Sequence, residues 1–179
     1  MNLPNEDCET LRKGALLHDI GKISIPDHIL DKQGPLTNAE YEIVKCHPTT
    51  GAHILQPLHS LQDVIPIIRW HHERCDGRGY PDGLTKNQIP EMVRVLSVAD
   101  VYDSLSSNRP YRPAMSAEEC RRVLWLEAEQ GNLDPRLVEA FCDLMPLPVW
   151  NPSRAGLSLS TQDVAMRGLS NSRIVAASS

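Results

Sequence analysis

The stretch HHERCDGRGYP, His71 to Pro81, sets two adjacent imidazoles at the mouth of a loop that also carries Glu73, Asp76, Gly77, Gly79, Tyr80 and Pro81. Glycine lets the backbone turn where other residues cannot, and proline fixes the exit. Histidine is the commonest metal ligand, yet most histidines bind no metal. The weight therefore falls on what else the chain brings to this place. Three further islands stand out: LLHDIGK with His18 and Asp19, CHP with His47, and VAD with Asp100. Each is weak alone. Together they put four histidines and two aspartates near ends or breaks of expected helices, where side chains can converge on one pocket. Imidazole nitrogen and carboxylate oxygen, with no thiolate, suit iron, manganese, nickel, cobalt or zinc. A two-metal site of this kind acidifies a water and clamps both oxygens of a phosphoryl displacement.

The segments between the islands read as helices. Over 8–19, Leu11, Ala15, Leu16 and Asp19 fall near helical spacing, and Gly21 is expected to stop that helix. Positions 20–36, with Pro26, Gly34 and Pro35, read as irregular. Thr37-Asn38-Ala39-Glu40 is a capping box and starts a helix. His47-Pro48 breaks it, and Pro48 suits the first position of the next. From Ser60 to about Trp70, Leu61, Val64, Ile65 and Ile68 share a face, with Pro66 expected to bend the helix. Residues 73–89 read as a loop. Pro90 opens a helix to about Ser107, Ser116 caps one that Gly131 ends, and Asp134-Pro135 starts a last one reaching Met145. No segment sustains the period-2 alternation of a strand. The expected class is all-α, a helical bundle with long functional loops over 1–150. The Ser-rich stretch 151–179 reads as a flexible tail, with a docked helix at 161–169 as the alternative.

Composition excludes several classes. The net charge of −5 gives no general attraction to DNA, RNA or an anionic membrane. One Phe, four Tyr and three Trp leave little for stacking single-stranded nucleic acid. The five cysteines are scattered without a C-x-x-C, which argues against a disulfide framework and for a reducing, cytoplasmic compartment. No apolar run approaches the roughly 20 residues that span a bilayer, and the acidic start MNLPNEDCET is unlike a signal peptide.

His18-Asp19 followed by Ile20-Gly21-Lys22, together with Gly79-Tyr80-Pro81 inside HHERCDGRGYP, resembles the HD-GYP family of the HD phosphohydrolase superfamily. The similarity runs from about Leu11 to Met145. It takes in Ile25 to Thr37, His47-Pro48 with Gly51, Ile89 to Leu105, Arg109 to Arg112 and Asp134 to Phe141. The resemblance implies an all-helical HD fold that hydrolyses cyclic di-GMP to pGpG, and further to GMP, at a centre of two or three divalent ions, often iron or manganese, of which two are expected here. It implies Asp19 as the bridging ligand, His18 and Asp100 on one ion, and His47, His71 and His72 on the other. Lys22, Arg109 and Arg112 are implied as substrate contacts. Glu73 and Asp76 are expected to orient the imidazoles or the loop. Tyr80 is either exposed to a partner, in the family a GGDEF domain, or packed under the lip.

The family also supplies a Glu and a His from a helix upstream of the HD pair. Here 17 residues precede His18 and none is a histidine. The chain therefore reads as N-terminally truncated, with the first ion short of ligands and apolar surface exposed near Leu16, Leu17 or Val101. Two other functions compete: a module that binds the dinucleotide or a GGDEF partner without turnover, and a phosphohydrolase for another cyclic dinucleotide such as cyclic GMP-AMP.

Overall fold

The computed structural model describes residues 4–108 and 113–145, and every regular element among them is helical. Arg109, Arg112 and the expected tail 151–179 lie outside the described residues. In chain order the elements are α1 (Asn5–Leu17), a 3₁₀ turn (Ile20–Ser24), α2 (Asp27–Leu30), α3 (Asn38–Val44) and α4 (His47–Leu55). A second 3₁₀ turn (His59–Val64), α5 (Ile65–Trp70), α6 (Glu91–Ser106), α7 (Ala117–Glu129) and α8 (Pro135–Leu144) follow.

Local chemistry sets several of these boundaries. At α3 and α7 both halves of the capping box form: Thr37 and Ser116 accept from the backbone of Glu40 and Glu119, whose carboxylates reach back. Asp134 caps α8 by accepting from the Arg136 amide. Gly131 ends the turn after α7 with φ +79°. Elsewhere the expected bounds shift. α1 starts at Asn5 and stops at Leu17, so His18 and Asp19 lie beyond the helix. Gly21 is no helix stop; it sits inside the 3₁₀ turn, where its small size matters instead. The region 20–36 is not wholly irregular, because it holds that turn and α2. Ser60 to Trp70 is not one bent helix: Pro66 lies in the first turn of α5, where its missing N–H costs nothing.

The core falls into four clusters, two of which flank α6. Val98 on α6 meets Leu124 and Ala128 on α7 and Leu137, Val138 and Cys142 on α8. Ile67 on α5 meets Ile89 in the loop and Val93 and Leu96 on α6, with Leu11 of α1 packed against them. Each such side chain, fully buried, stabilises by about 1.5–3 kcal/mol. Close approach matters as much as area: a Cβ on Gly14 of α1 would lie 2.6 Å from Ile67. Leu17 and Val101 pack onto neighbouring clusters, whereas Leu16 is 79% exposed, so of the three expected apolar positions Leu16 alone is open.

Buried ion pairs tie the α6–α8 side together. Asp134 is fully buried and binds Lys86 at 2.9 Å and also Arg94, joining loop, α6 and α8. Glu127 of α7 receives Arg74 from the loop and Asn132. Arg121 donates to the carbonyls of Cys142 and Met145 at the end of α8. These pairs fix the loop 73–89 to the α6–α8 side of the fold.

Candidate metal centre

An α-helix leaves its last carbonyls without intrahelical donors. Three histidines exploit this. His18 follows α1, His47 follows α3, and His71 follows α5. Each Nδ1 meets the carbonyl three residues earlier: Ala15 at 2.8 Å, Val44 at 2.7 Å and Ile68 at 2.7 Å. A carbonyl can only accept, so Nδ1 carries a proton, and in the neutral ring Nε2 presents its lone pair. One hydrogen bond satisfies a helix end, fixes the tautomer and aims the ring.

The aimed atoms converge. Nε2 of His47 and Nε2 of His71 are 3.2 Å apart. His72 joins them, with one ligand atom from each of the three within 4.8 Å of the others. Asp19 turns Oδ1 to His47 Nε2 at 3.4 Å and Oδ2 to His18 Nε2 at 3.3 Å. His18 Nε2 lies 3.7 Å from Asp100 Oδ1, on α6. Asp19 thus stands between a group of three imidazoles and a His18–Asp100 pair.

Electrostatics decides what belongs among these atoms. Burial, then the neighbouring His47 and His18, pushes His71 down to about 3. Burial, then His71 and His47, pushes His72 well below its usual value. The Nε2 atoms of His47 and His71 face each other at 3.2 Å while both Nδ1 atoms are engaged by carbonyls, so two neutral rings would set lone pair against lone pair. A cation resolves that conflict. Burial opposes ionisation of Asp19, yet His18, His47 and Lys22 outweigh it and hold the carboxyl far below the usual range. Burial likewise works against a charged His18, but Asp19 more than compensates and its pKa is raised. Nitrogen and carboxylate donors in this arrangement fit divalent ions of intermediate hardness.

Several residues position the donors. A Cβ on Gly21 would lie 1.9 Å from the His47 carbonyl oxygen, and one on Gly51 would lie 2.9 Å from Ile68. Backbone contact between the first 3₁₀ turn and α4 is what sets Asp19 against His47. Ser97, one turn before Asp100 on α6, donates to the His71 carbonyl at 3.0 Å. The sequence signal for Ser97 was its shared helix face with Asp100.

The loop is held by acids rather than by the imidazoles. Glu73 is buried, and its carboxylate accepts from the amides of Asp82, Gly83 and Leu84 at 2.6–3.0 Å. Asp82 takes a two-pronged contact from Arg69 and a hydrogen bond from Trp70 Nε1. Asp76 accepts from the Arg78 amide and pairs across the loop with Thr85. Glu73 and Asp76 thus serve the loop. Gly79 has no room for a side chain, since a Cβ would sit 2.3 Å from the Arg74 amide nitrogen. The Tyr80–Pro81 bond is cis, and the half-buried Tyr80 ring lies 4.9 Å from that of His72. Lys22 Nζ lies 2.6 Å from Asp19 Oδ2. The four sequence islands meet here; Arg109 and Arg112 lie outside the described residues.

Comparison with known proteins agrees with this geometry. Residues 1–137 match the family described as HD domain. The chain is 40% identical over 144 residues to "Cyclic di-GMP phosphodiesterase PA4108" of Pseudomonas aeruginosa, covering 79% of this chain and 34% of that protein. It is 42% identical over 143 residues to "Cyclic di-GMP phosphodiesterase response regulator RpfG" of Xanthomonas campestris pv. campestris, covering 78% and 37%. It is 40% identical over 114 residues to "3'3'-cGAMP-specific phosphodiesterase 3" of Vibrio cholerae, covering 64% and 25%. Among solved structures, "Bd1817, a HDG"Y"P protein from Bdellovibrio bacteriovorus" aligns with a TM-score of 0.61 at 26% identity, over 78% of this chain and 44% of that one. The chain thus spans between 25% and 37% of the length of these curated relatives. No helix among the described residues is long and apolar enough to cross a membrane. With His18-Asp19 at the convergence of three helix ends and Gly79-Tyr80-Pro81 packed against it, this chain belongs to the HD domain family, in its HD-GYP branch.

Proposed function

We propose that this chain is a metal-dependent phosphodiesterase that hydrolyses cyclic di-GMP to linear pGpG, and further to GMP, in bacterial second-messenger signalling. The observation that carries the reading is the pair of Nε2 atoms of His47 and His71 facing each other at 3.2 Å with Asp19 alongside. His47, His71 and His72 would hold one divalent ion, His18 and Asp100 the second, and Asp19 would join them through separate oxygens. Iron or manganese ions, when bound, would supply an acidified water and charge on both oxygens of the displacement. The chain's own residues do the positioning. Asp19 stays ionised under His18, His47 and Lys22. Lys22 keeps an ammonium at the rim, where phosphate charge grows. Arg109 and Arg112 are assigned to substrate phosphate or guanine, for which a planar guanidinium fork suits both.

No disulfide joins the five cysteines, all of them among the described residues, which suits the cytoplasmic setting of this reading. A GGDEF-domain partner at the loop would meet the 88% exposed Arg78 before Tyr80. The resemblance to a protein named as a 3'3'-cGAMP phosphodiesterase makes cyclic GMP-AMP the specific rival substrate. The test supplies the chain with Mn(II) or Fe(II) and offers both dinucleotides, with metal per chain read by elemental analysis. Two ions per chain and faster loss of cyclic di-GMP are expected. Preference for cyclic GMP-AMP would move the substrate, and tight dinucleotide binding without product would make the chain a binding module.

A further inference from the structure

Tyr41 on α3 and Lys45, the residue that caps its C-terminal end, have no part in the proposal so far. Tyr41 and Lys45 are four residues apart and share a helix face. Lys45 Nζ lies 5.5 Å from the centre of the Tyr41 ring and 5.9 Å from that of Tyr80. Tyr80 comes from the far loop, and its ring is tilted 32° against His72. A single tyrosine ring therefore separates this ammonium from the candidate metal centre. Both tyrosines are half-buried, and burial raises the Tyr41 hydroxyl to about 12 and that of Tyr80 further, so both remain neutral.

The cations near the loop differ in what holds them. Arg69 is gripped by Asp82 on two nitrogens, Arg74 by the buried Glu127, and Lys22 by Asp19. Lys45 pairs with Glu42 at 2.7 Å, but that carboxylate is 67% exposed. An exposed pair within one turn holds a lysine weakly. It also does not explain why the ammonium is aimed across at a ring from another element. Ring faces attract a cation and restrict where it points. The lysine side chain stays 28% exposed.

We propose that Lys45 binds a phosphate of the nucleotide substrate, the one not being hydrolysed, with Tyr41 and Tyr80 holding the ammonium in place. This rests on the phosphodiesterase reading above. A cyclic dinucleotide carries two phosphates on opposite sides of one ring, so docking one at the metal centre leaves the second beside it. Lysine serves there as a point charge.

The test is steady-state turnover of cyclic di-GMP by the Mn(II)-loaded chain and its Lys45→Met, Lys45→Arg and Glu42→Gln variants. Lys45→Met should raise KM at least about tenfold, the worth of a lost charge-assisted hydrogen bond, with kcat and bound manganese near wild type. Lys45→Arg should recover most of the loss. Glu42→Gln, which frees the ammonium, should leave KM equal or lower. An unchanged KM in Lys45→Met, or loss that Lys45→Arg does not rescue, would overturn the Lys45 assignment while wild-type turnover keeps the phosphodiesterase reading. A wild-type chain that neither binds nor cleaves cyclic di-GMP would overturn both.

Discussion

Replacing Gly21 by alanine should damage the metal centre without touching a ligand. The new Cβ would lie 1.9 Å from the His47 carbonyl oxygen and 2.6 Å from the Gly51 amide nitrogen. Carbon meets other heavy atoms comfortably at about 3.5–4.0 Å, so even a tight contact requires the two backbones to part by on the order of 1 Å. Both obstacles are main-chain atoms of α4, and no rotamer change relieves them. Asp19, two residues earlier, now sits 3.4 Å from His47 Nε2 and would be carried away from it. Displacement of about 1 Å at a reacting centre costs about 100-fold in rate, and overpacking costs about 1–3 kcal/mol of stability. At an ordinary helical position glycine to alanine would stabilise by roughly 0.5–1 kcal/mol, so the sign alone is diagnostic. Denaturant midpoint, manganese per chain and cyclic di-GMP turnover would be measured together. A Gly21→Ala chain of equal stability, with full metal and wild-type turnover, would refute the idea that this backbone contact sets Asp19.

Two further predictions follow from buried groups. Glu73→Ala leaves the amides of Asp82, Gly83 and Leu84 without their acceptor, at about 1–3 kcal/mol for each that water does not reach. Its denaturant midpoint should fall well below wild type, and a midpoint within error would show the loop is held by other means. The metal-free chain should lose stability on acidification from pH 7.5 to 5.5. His71 titrates near 3 when folded and near 6.5 when unfolded, so its stabilisation is present above 6.5 and drains as pH falls toward 3, on the order of a few kcal/mol in full. His72 acts in the same sense, and His18, raised by Asp19, in the opposite one. A thermal midpoint flat over that range, or rising as pH falls, would contradict burial of neutral imidazoles.

Features written in neighbouring residues were legible from the sequence. The boxes at Thr37 and Ser116 and the cap at Asp134 need only three or four residues to form, and all formed. The islands His18-Asp19, His47, His71-His72 and Asp100 were legible as one constellation because every donor suits the same class of ion. Less was legible where the reason lies across the fold. Gly21 reads as a stop signal, but its partner is a carbonyl 26 residues later in α4. Glu73 beside two histidines reads as orienting either the imidazoles or the loop, and only the folded loop, which returns three amides to it from 82–84, decides between them. Pro66 reads as a bend because the 3₁₀ turn before it shows the same apolar pattern as a helix. Lys45 carried no signal at all, since its contact with Tyr80 exists only once the loop has packed against α3.

The central claim is that His18, Asp19, His47, His71, His72 and Asp100 form one metal centre that cleaves cyclic di-GMP. The most direct measurement is turnover by the purified 179-residue chain, loaded anaerobically with Fe(II) or Mn(II), beside its Asp19→Ala variant, with products separated by chromatography. The account predicts pGpG from the wild-type chain and none from Asp19→Ala, with less metal bound. Turnover that survives Asp19→Ala, or a folded and metal-loaded wild-type chain that yields no product, would contradict it.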